Sequence, residues 1–378
     1  MKRVSPTQWH HDAQSQNIAL DVAIADALAQ DPIIVFSLSG GKDSSAATLA
    51  TIAFLDAIGH PAKNRYAIHA DLGLIEWPTT TDFVAQIAAE LALPVSIVQN
   101  STKGLLPRWR QRFENAKRRY ANLETYNLIG PFSSASLRFC TSDTKIGPIG
   151  SHLVKAHRGR TIISVVGIRR EESASRASAP VSRQDTRFAS PSNRFGTKMI
   201  TWHPILEWSA DEVYAYHEAR QFPLHVAYTR YRMSRLSCAH CVLASAADAR
   251  KSIDSGQNEA SLNEIVALEI TSTFSFQPTR WLSDLAPTTS YPDLTSALAT
   301  AKSLGTERKT LESQLPSDLR FTRGWPPRVP DMDEAKTIAM AREVILAHHN
   351  LPNLYPTPAA VTDRFARLHA CKPRLIAA

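Results

Sequence analysis

The chain predicts an α/β fold, a parallel sheet with helices on both faces, followed by a mainly helical C-terminal region. Short apolar, β-branched runs recur from Ile33 to Leu38, Tyr66 to Asp71, Val95 to Val98 and Thr161 to Val166, and stretches of helical spacing separate them. Strands apolar at almost every position are buried on both faces, as in parallel sheets covered by helices. A second observation agrees: the unusual polar segments each follow the end of such a run, where open parallel sheets present ligands.

The elements follow in order. Asn17 to Gln30 reads as a leading helix, and Ile33 to Leu38 as the first strand. Ser39-Gly40-Gly41-Lys42-Asp43-Ser44-Ser45 comes next, and Ala46 to Ala57 continues as a helix stopped by Gly59. A strand, a glycine turn and a helix start in that order make a phosphate cradle, because the glycines let backbone approach the ligand and the first helical N–H groups are free. The common nucleotide loop G-x-x-x-x-G-K-[ST] spaces its glycines widely; here they are adjacent and an acid follows the lysine. Thr80 to Leu91 has helical spacing at Phe83, Ile87 and Leu91, between the second and third strands.

A basic stretch then carries Arg108, Arg110, Arg112, Lys117, Arg118 and Arg119, interleaved with Trp109, Phe113 and Tyr120. On a helix several of these cations share a face, either as a solvated surface or to neutralise backbone phosphates. Trp109 and Tyr120 suit core packing or base stacking. After the fourth strand come Gly167-Ile168-Arg169-Arg170-Glu171-Glu172-Ser173 and Arg176, then Arg183, Arg187 and Arg194 in a serine-rich stretch read as a loop able to close over an anion. Ser209 caps a helix after a Pro-containing turn. From Thr271 to Ser317 no motif stands out, and Asp333 to Asn350 reads as a helix before a cationic rim from Arg364 to Lys372. The expected division is 1–235 for the α/β domain, 236–275 for a cysteine segment with its packing helix, and 276–378 for the helical region.

Composition bounds the function. The chain has 378 residues, 43% of them hydrophobic, enough for a sizeable core. No apolar run approaches the ~20 residues needed to span a bilayer, and the start lacks a secretory signal pattern, so no membrane association and a cytoplasmic location are expected. Four cysteines without a framework pattern point to thiol, metal or cluster chemistry rather than disulfides. A formal charge of +8 suits a polyanionic partner but is weak evidence alone. Cys238 and Cys241 form a C-x-x-C, and Cys140 lies upstream in Arg138-Phe139-Cys140-Thr141-Ser142-Asp143-Thr144-Lys145. Three readings of these thiols stand side by side: an iron–sulfur cluster, a Zn²⁺ site completed by His240 or His225, and a dithiol pair without metal.

Taken together, the motifs resemble the PP-loop ATP pyrophosphatases and the phosphoadenylylsulfate (PAPS) reductase superfamily, in its Dnd-type DNA phosphorothioation branch. The resemblance covers roughly residues 33 to 270 and rests on the glycine loop, the R-x-C-T-x-x-x-K element, the G-x-R-x-x-E-S-x-x-R element and the C-x-x-C. Trp202 to Trp208 is similar to the superfamily's W-x-P-I-x-x-W element, with a structural role. The implied fold is adenine nucleotide alpha hydrolase-like. The implied ATP site is Ser37, Ser39, Gly40, Gly41, Lys42, Asp43, Ser44 and Ser45, with His69, Asp71, Gly167 and Arg169; Lys42, Asp43 and Ser44 are the implied catalytic group. His69 or Asp71 would meet the nucleoside with Trp77 as an aromatic wall, although an acid at a strand end is also an ordinary turn cap. Arg138, Lys145, Arg170, Ser173 and Arg176 would hold phosphate or substrate oxygens, although Arg169 to Arg176 also reads as a helix start with internal ion pairs. The resemblance also implies Mg²⁺, a 4Fe-4S cluster on Cys140, Cys238, Cys241 and, as the unassigned fourth ligand, Cys371, with Zn²⁺ as the alternative metal.

The activity so implied is ATP cleavage to AMP and pyrophosphate with adenylylation of a DNA phosphate oxygen, followed by sulfur insertion. DNA, a cysteine desulfurase and other modification-system subunits are the implied partners. The alternatives are a sulfonucleotide (PAPS/APS) reductase or sulfate adenylylation enzyme, a tRNA thiolase, or a metal-stabilised nucleic-acid-binding subunit without catalysis.

Overall fold

The computed structural model describes Trp9 and residues 12–14, 16–286 and 294–371. Two compact units form, one from the residues up to Leu105 with Arg138–Asn258, the other from Leu106–Leu137 with the residues from Glu259 onward. The helical unit therefore takes an internal segment as well as the C-terminal region, a boundary that the linear division at 235 and 275 does not describe. The C-x-x-C falls with the sheet.

In the sheet unit the elements run α1 (Val22–Leu28), β1 (Ile33–Ser37), α2 (Lys42–Ala57), β2 (Arg65–Ala70), α3 (Thr80–Glu90) and β3 (Val95–Val98). After the excursion into the other unit come α5 (Gly147–Ala156), β4 (Thr161–Val165), β5 (Ser182–Gln184), β6 (Lys198–Trp202), α6 (Ala210–Ala219) and α7 (Ala246–Asp254). Strand order is β3-β2-β1-β4-β6-β5. All pairs are parallel except β5 with β6.

Alternation sends the side chains of one strand to two cores. Ile34 and Phe36 of β1 pack with α1, α2 and α3 residues such as Leu28, Phe54 and Ile87. Ile33 and Val35 face the other side, with Ile68, Ile162 and Leu153 of α5. Both faces are thus covered, as the unbroken apolar runs require. The expected α/β class holds, and β1 to β4 lie within a residue of their predicted limits.

Three local readings change. The leading helix begins at Val22 rather than Asn17, because Asp21 accepts from the Ile24 N–H and sets the cap there. The serine-rich stretch around Arg183 contains a strand, β5, laid antiparallel on β6. Cys140 sits in a single helical turn, Phe139–Thr141, that runs through a π-helical segment, Ser142–Ile146, into α5. The W-x-P-I-x-x-W element ties down the N-terminal segment, with Trp202 Nε1 donating to the Ala19 carbonyl at 2.7 Å and Trp208 Nε1 to that of Asn17 at 2.6 Å. Ser209 caps α6 in a reciprocal box with Glu212.

The helical unit contains α4 (Leu105–Ala121, from its second residue), α8 (Glu259–Ser272), α9 (Thr295–Ser313), α10 (Met332–His348) and α11 (Pro358–Ala370). Part of the motif-free stretch, 287–293, and Lys372 of the cationic rim lie outside the described residues. Trp109, Phe113 and Tyr120 of α4 are buried, with Trp109 edge-on to Phe132 and Phe276. They are core, which removes Trp109 and Tyr120 as base-stacking candidates. Several of the α4 cations are also engaged: Arg110 with Glu264, Arg112 with the Gly130 carbonyl, Lys117 with Glu114, and Arg119 with the Glu124 carbonyl. Among the described residues no helix is long and apolar enough to cross a membrane.

Candidate functional site

β1 ends at Ser37 and α2 starts at Lys42 with Gly41 as its cap. Gly40 has φ +74°, a left-handed turn that costs glycine nothing, and a Cβ there would press on Leu236 and Thr80. Ser39 donates to Ser44 Oγ at 3.1 Å, and Ser44 donates to the Gly41 carbonyl at 2.8 Å. No side chain caps α2 from the Gly41 position, which leaves the first-turn amides at the positive end of a 16-residue helix. The Lys42 N–H is engaged instead by the Tyr228 hydroxyl at 3.3 Å, and the same hydroxyl accepts from the Leu236 N–H at 2.8 Å.

The loop lies at the switch point of the sheet, where the chain leaves β1 for β2 on one side while β4 flanks β1 on the other. Gly167, just past β4, comes so close that a Cβ would stand 2.3 Å from the Asp43 carbonyl oxygen. Beside it Arg169 is buried and donates through Nε to Asp43 Oδ1 at 2.6 Å, while Lys42 Nζ lies 3.1 Å from Asp43 Oδ2. Glu171 takes another Arg169 nitrogen. The guanidinium loses solvation, but its Asp43 and Glu171 partners outweigh that and the net shift is upward. The Lys42 ammonium sits 5.4 Å from the Tyr214 ring centre and 5.6 Å from that of Tyr228, and His217 bonds the Lys42 carbonyl at 2.9 Å. Asp43 is thus locked between two cations, one on each oxygen.

Two cavities open on this loop. A cavity of about 400 Å³ is lined by Ser37, Ser39, Ser44, His69, Glu76, Ser164, Gly167 and a cationic set of Arg138, Lys145, Arg176, Arg183 and Arg187, with Asp185 and His203. A second, of about 210 Å³, has Ser39, Gly41, Asp43 and Ser44 beside Cys140, Cys238 and Cys241, again with Arg138, Lys145 and Arg176, plus Arg235 and Tyr228. Arg176 is paired with Glu172 and Arg187 with Asp185. Burial opposes charge on His69, yet its hydrogen bond to Glu76 and that carboxylate's charge, with the Leu38 carbonyl, raise its pKa overall. His203 goes the other way: burial first, then Arg183 and Arg176, hold it neutral against its bond to the Pro180 carbonyl.

The remaining predicted residues are placed otherwise. Lys42, Arg169, Arg170, Gly40, Ser45, Asp71 and Ser173 line neither cavity. Asp71 accepts from the Gly73 N–H at 2.7 Å and from Gln99, the work of a turn cap. Arg170 is tied to Glu207 and the Ala177 and Ala179 carbonyls, Ser173 to Ser175, and Ser45 to the Gly41 carbonyl. Trp77 is buried and stacked on Tyr231. Arg194 stands over Phe195. Sequence reading missed Asp185, Arg235, Tyr214 and Tyr228, which stand in no motif, and His203, a variable position of the W-x-P-I-x-x-W element.

Cys140, Cys238 and Cys241 are free and half-buried, and Cys371 is exposed in the helical unit. Burial, then the Cys241 charge, pushes the Cys238 thiol up to about 12. Three sulfur donors on one cavity have the chemistry an iron–sulfur centre takes, and a cationic centre offsets the cost of a buried thiolate. Among the described residues, however, no three His, Cys, Asp or Glu side chains are gathered tightly enough to hold a metal ion. The zinc alternative has weaker donors: His225 is spent on the Ala227 N–H and on Thr79 and Thr80, and His240 bonds the Asn258 carbonyl. Burial lowers both imidazoles to about 4.

Residues 33–244, which carry every strand and both cavity walls, match the model of the phosphoadenosine phosphosulfate reductase domain. The chain belongs to that family. The phosphoadenosine phosphosulfate reductase domain here has the mostly parallel sheet with helices on both faces that the sequence predicts. Among solved structures it is similar to Candida glabrata FMN adenylyltransferase in complex with FMN and the ATP analogue AMPCPP, at 13% identity over 62% of this chain and 63% of that one, TM-score 0.36. Phosphoadenylyl-sulfate (PAPS) reductase from Candida auris, in a phosphate complex, aligns at 14% identity over 63% of this chain and 97% of that one, TM-score 0.36. The chain thus spans less than two thirds of the adenylyltransferase chain. No curated protein matches it.

Proposed function

We propose that the chain is an ATP pyrophosphatase that adenylylates an acceptor oxygen, a DNA backbone phosphate, for sulfur insertion in DNA phosphorothioation. The observation that carries this is the Ser39–Ser45 turn: an uncapped helix start at the β1/β4 switch point, opening on cavities lined by Arg138, Lys145 and Arg176. Family membership and the Dnd-type motifs of the sequence, the C-x-x-C above all, support the finer reading.

In this mechanism the outer phosphates of ATP rest on the first-turn amides and serine hydroxyls, with the nucleoside toward His69. Asp43 would hold Mg²⁺ through an oxygen that Lys42 or Arg169 now occupies, and the ion would supply charge to offset the departing pyrophosphate. An ionised acceptor oxygen attacks the α-phosphorus, and the bond to the β-phosphate oxygen breaks with its electrons leaving on pyrophosphate. No general base is needed. Arg138, Lys145 and Arg176 orient the phosphates and offset charge as it builds on the leaving group. Hydrosulfide, freed when a thiol reductant cleaves the persulfide of a desulfurase partner, then attacks the activated phosphorus, and AMP leaves with the bridging oxygen. Cys140, Cys238 and Cys241 would hold an iron–sulfur cluster, which when bound supplies electron-transfer or sulfide-binding chemistry.

A second reading, reduction of a sulfonucleotide, has the family membership in its favour. Pyrophosphate and AMP release from Mg·ATP separates the two: DNA stimulates it in the first reading, and no added nucleic acid does in the second. The variant Lys42→Ala/Asp43→Ala is expected to lose at least about a hundredfold in AMP formation; unchanged AMP formation eliminates catalysis at this loop. For the metal, an anaerobic preparation with brown absorbance and iron that both disappear in Cys238→Ser/Cys241→Ser is expected, and iron-free protein removes the cluster.

A further inference from the structure

Tyr228 belongs to no recognised motif, yet its hydroxyl stands at the junction of the glycine loop and the cysteine segment. It is more than nine-tenths buried, at 8% exposure, and it lines the cavity shared by Ser39, Gly41, Asp43, Ser44 and the three thiols. Its oxygen accepts from the Lys42 N–H at 3.3 Å and from the Leu236 N–H at 2.8 Å. Both of those donors are backbone amides, so their direction is not in question. A phenol has two acceptor sites and one proton. With both acceptor sites spent, the proton is left for a third partner, and no described residue accepts it. Burial, first among the causes, raises the Tyr228 pKa above the usual phenol value, so the proton stays on.

We infer that Tyr228 is a ligand-contacting residue, donating its hydroxyl proton to a phosphate oxygen of the polyphosphate held at the loop. This rests on the nucleotide reading above and adds a contact that it does not contain. The hydroxyl is oriented for the task because the Lys42 and Leu236 amides fix the oxygen from two sides, and a preoriented donor loses little freedom on binding. A hydrogen bond to a charged acceptor in a buried site is among the stronger kinds. The Leu236 amide lies two residues before Cys238, so the same oxygen joins the ligand's phosphates to the segment that carries the thiols.

Two measurements test it. Binding of Mg·AMPCPP to full-length Tyr228→Phe by calorimetry is expected to be about tenfold weaker than to the wild type. Phenylalanine also removes the two accepted bonds, so a probe that keeps them is needed. With 3-fluorotyrosine incorporated in place of Tyr228, the fluorine resonance is expected to move on saturation with Mg·pyrophosphate. Equal affinity of the Phe variant, or an unmoved resonance with pyrophosphate bound, overturns the inference while leaving the nucleotide site intact. Wild-type protein that binds neither probe overturns the nucleotide reading itself.

Discussion

In the helical unit Arg342 is buried and donates to the Tyr120 carbonyl at 2.6 Å and the Ala121 carbonyl at 3.2 Å, over the Tyr120 ring, and burial lowers its pKa to about 10. Arg308 is likewise buried, between Glu312 and the Thr273 carbonyl. At the sheet's end Arg138 and Lys145 line both cavities, and among the described residues neither has an ion-pair partner. The same side-chain types serve two purposes. Inside the helical unit a guanidinium replaces missing backbone partners and its removal breaks the fold; beside the loop Arg138 and Lys145 are held open for an anion. Arg169 stands between the two cases: it lies at the site, yet its charge is spent on Asp43 and Glu171.

Substitutions sharpen the contrast, taken from the largest stability effect down. Arg342→Ala is expected to cost about 3–5 kcal/mol in the urea unfolding of the helical unit, because it leaves the Ala121 carbonyl without its partner beside the cavity of a deleted large side chain; a loss below about 1 kcal/mol would refute the structural role. Arg169→Ala is expected to cost roughly 3 kcal/mol by leaving Asp43 short of a partner, and to loosen amide exchange over residues 38–45. Arg138→Ala/Lys145→Ala should stay within about 0.5 kcal/mol of wild-type stability yet bind Mg·AMPCPP about tenfold more weakly. Stability lost without affinity would reverse the assignment.

Two segments, one in each unit, also differ in their response to pH. His225 and His240 have pKa values lowered from 6.5 to about 4 by burial, so their contribution is present above pH 6.5 and is lost as pH falls toward 4. Each amounts to roughly 3 kcal/mol at full loss. Glu269 of α8 is raised from 4.5 to about 7 by burial, against three accepted backbone N–H bonds from Phe276, Leu282 and Ser283. Its contribution is present below pH 4.5 and is lost as pH rises through 7. With the intrinsic base-catalysed rate divided out, amide protection over 225–258 should therefore fall on acidification, while that over 260–285 should fall toward neutral pH; parallel changes in protection would contradict the burial of these groups.

How much was legible follows from the same physics. β1 to β4 announce themselves because both faces are buried, so nearly every residue is apolar. β5 does not, since it is a three-residue antiparallel edge strand, Ser-Arg-Gln, that exposes its side chains. The glycine loop was readable as a turn that lets backbone approach a ligand, whereas Gly167 was readable only as part of the G-x-R element and its close approach to Asp43 was not. Whether Arg169 or Arg138 faces the ligand was not, because an arginine's partner is set by residues far along the chain: Asp43 lies 126 positions from Arg169. The aromatic face of α4 looked alike for stacking and for core until Phe132 and Phe276 covered it. Tyr228 sits in a short turn where no periodicity marks it.

The most direct test is a crystal structure of the protein with Mg·AMPCPP. The account predicts the β- and γ-phosphates on the amides of Asp43 and Ser44 at the start of α2, with Arg138 and Lys145 turned onto the phosphate oxygens. Phosphates bound away from that helix start, with the loop unchanged, would contradict it.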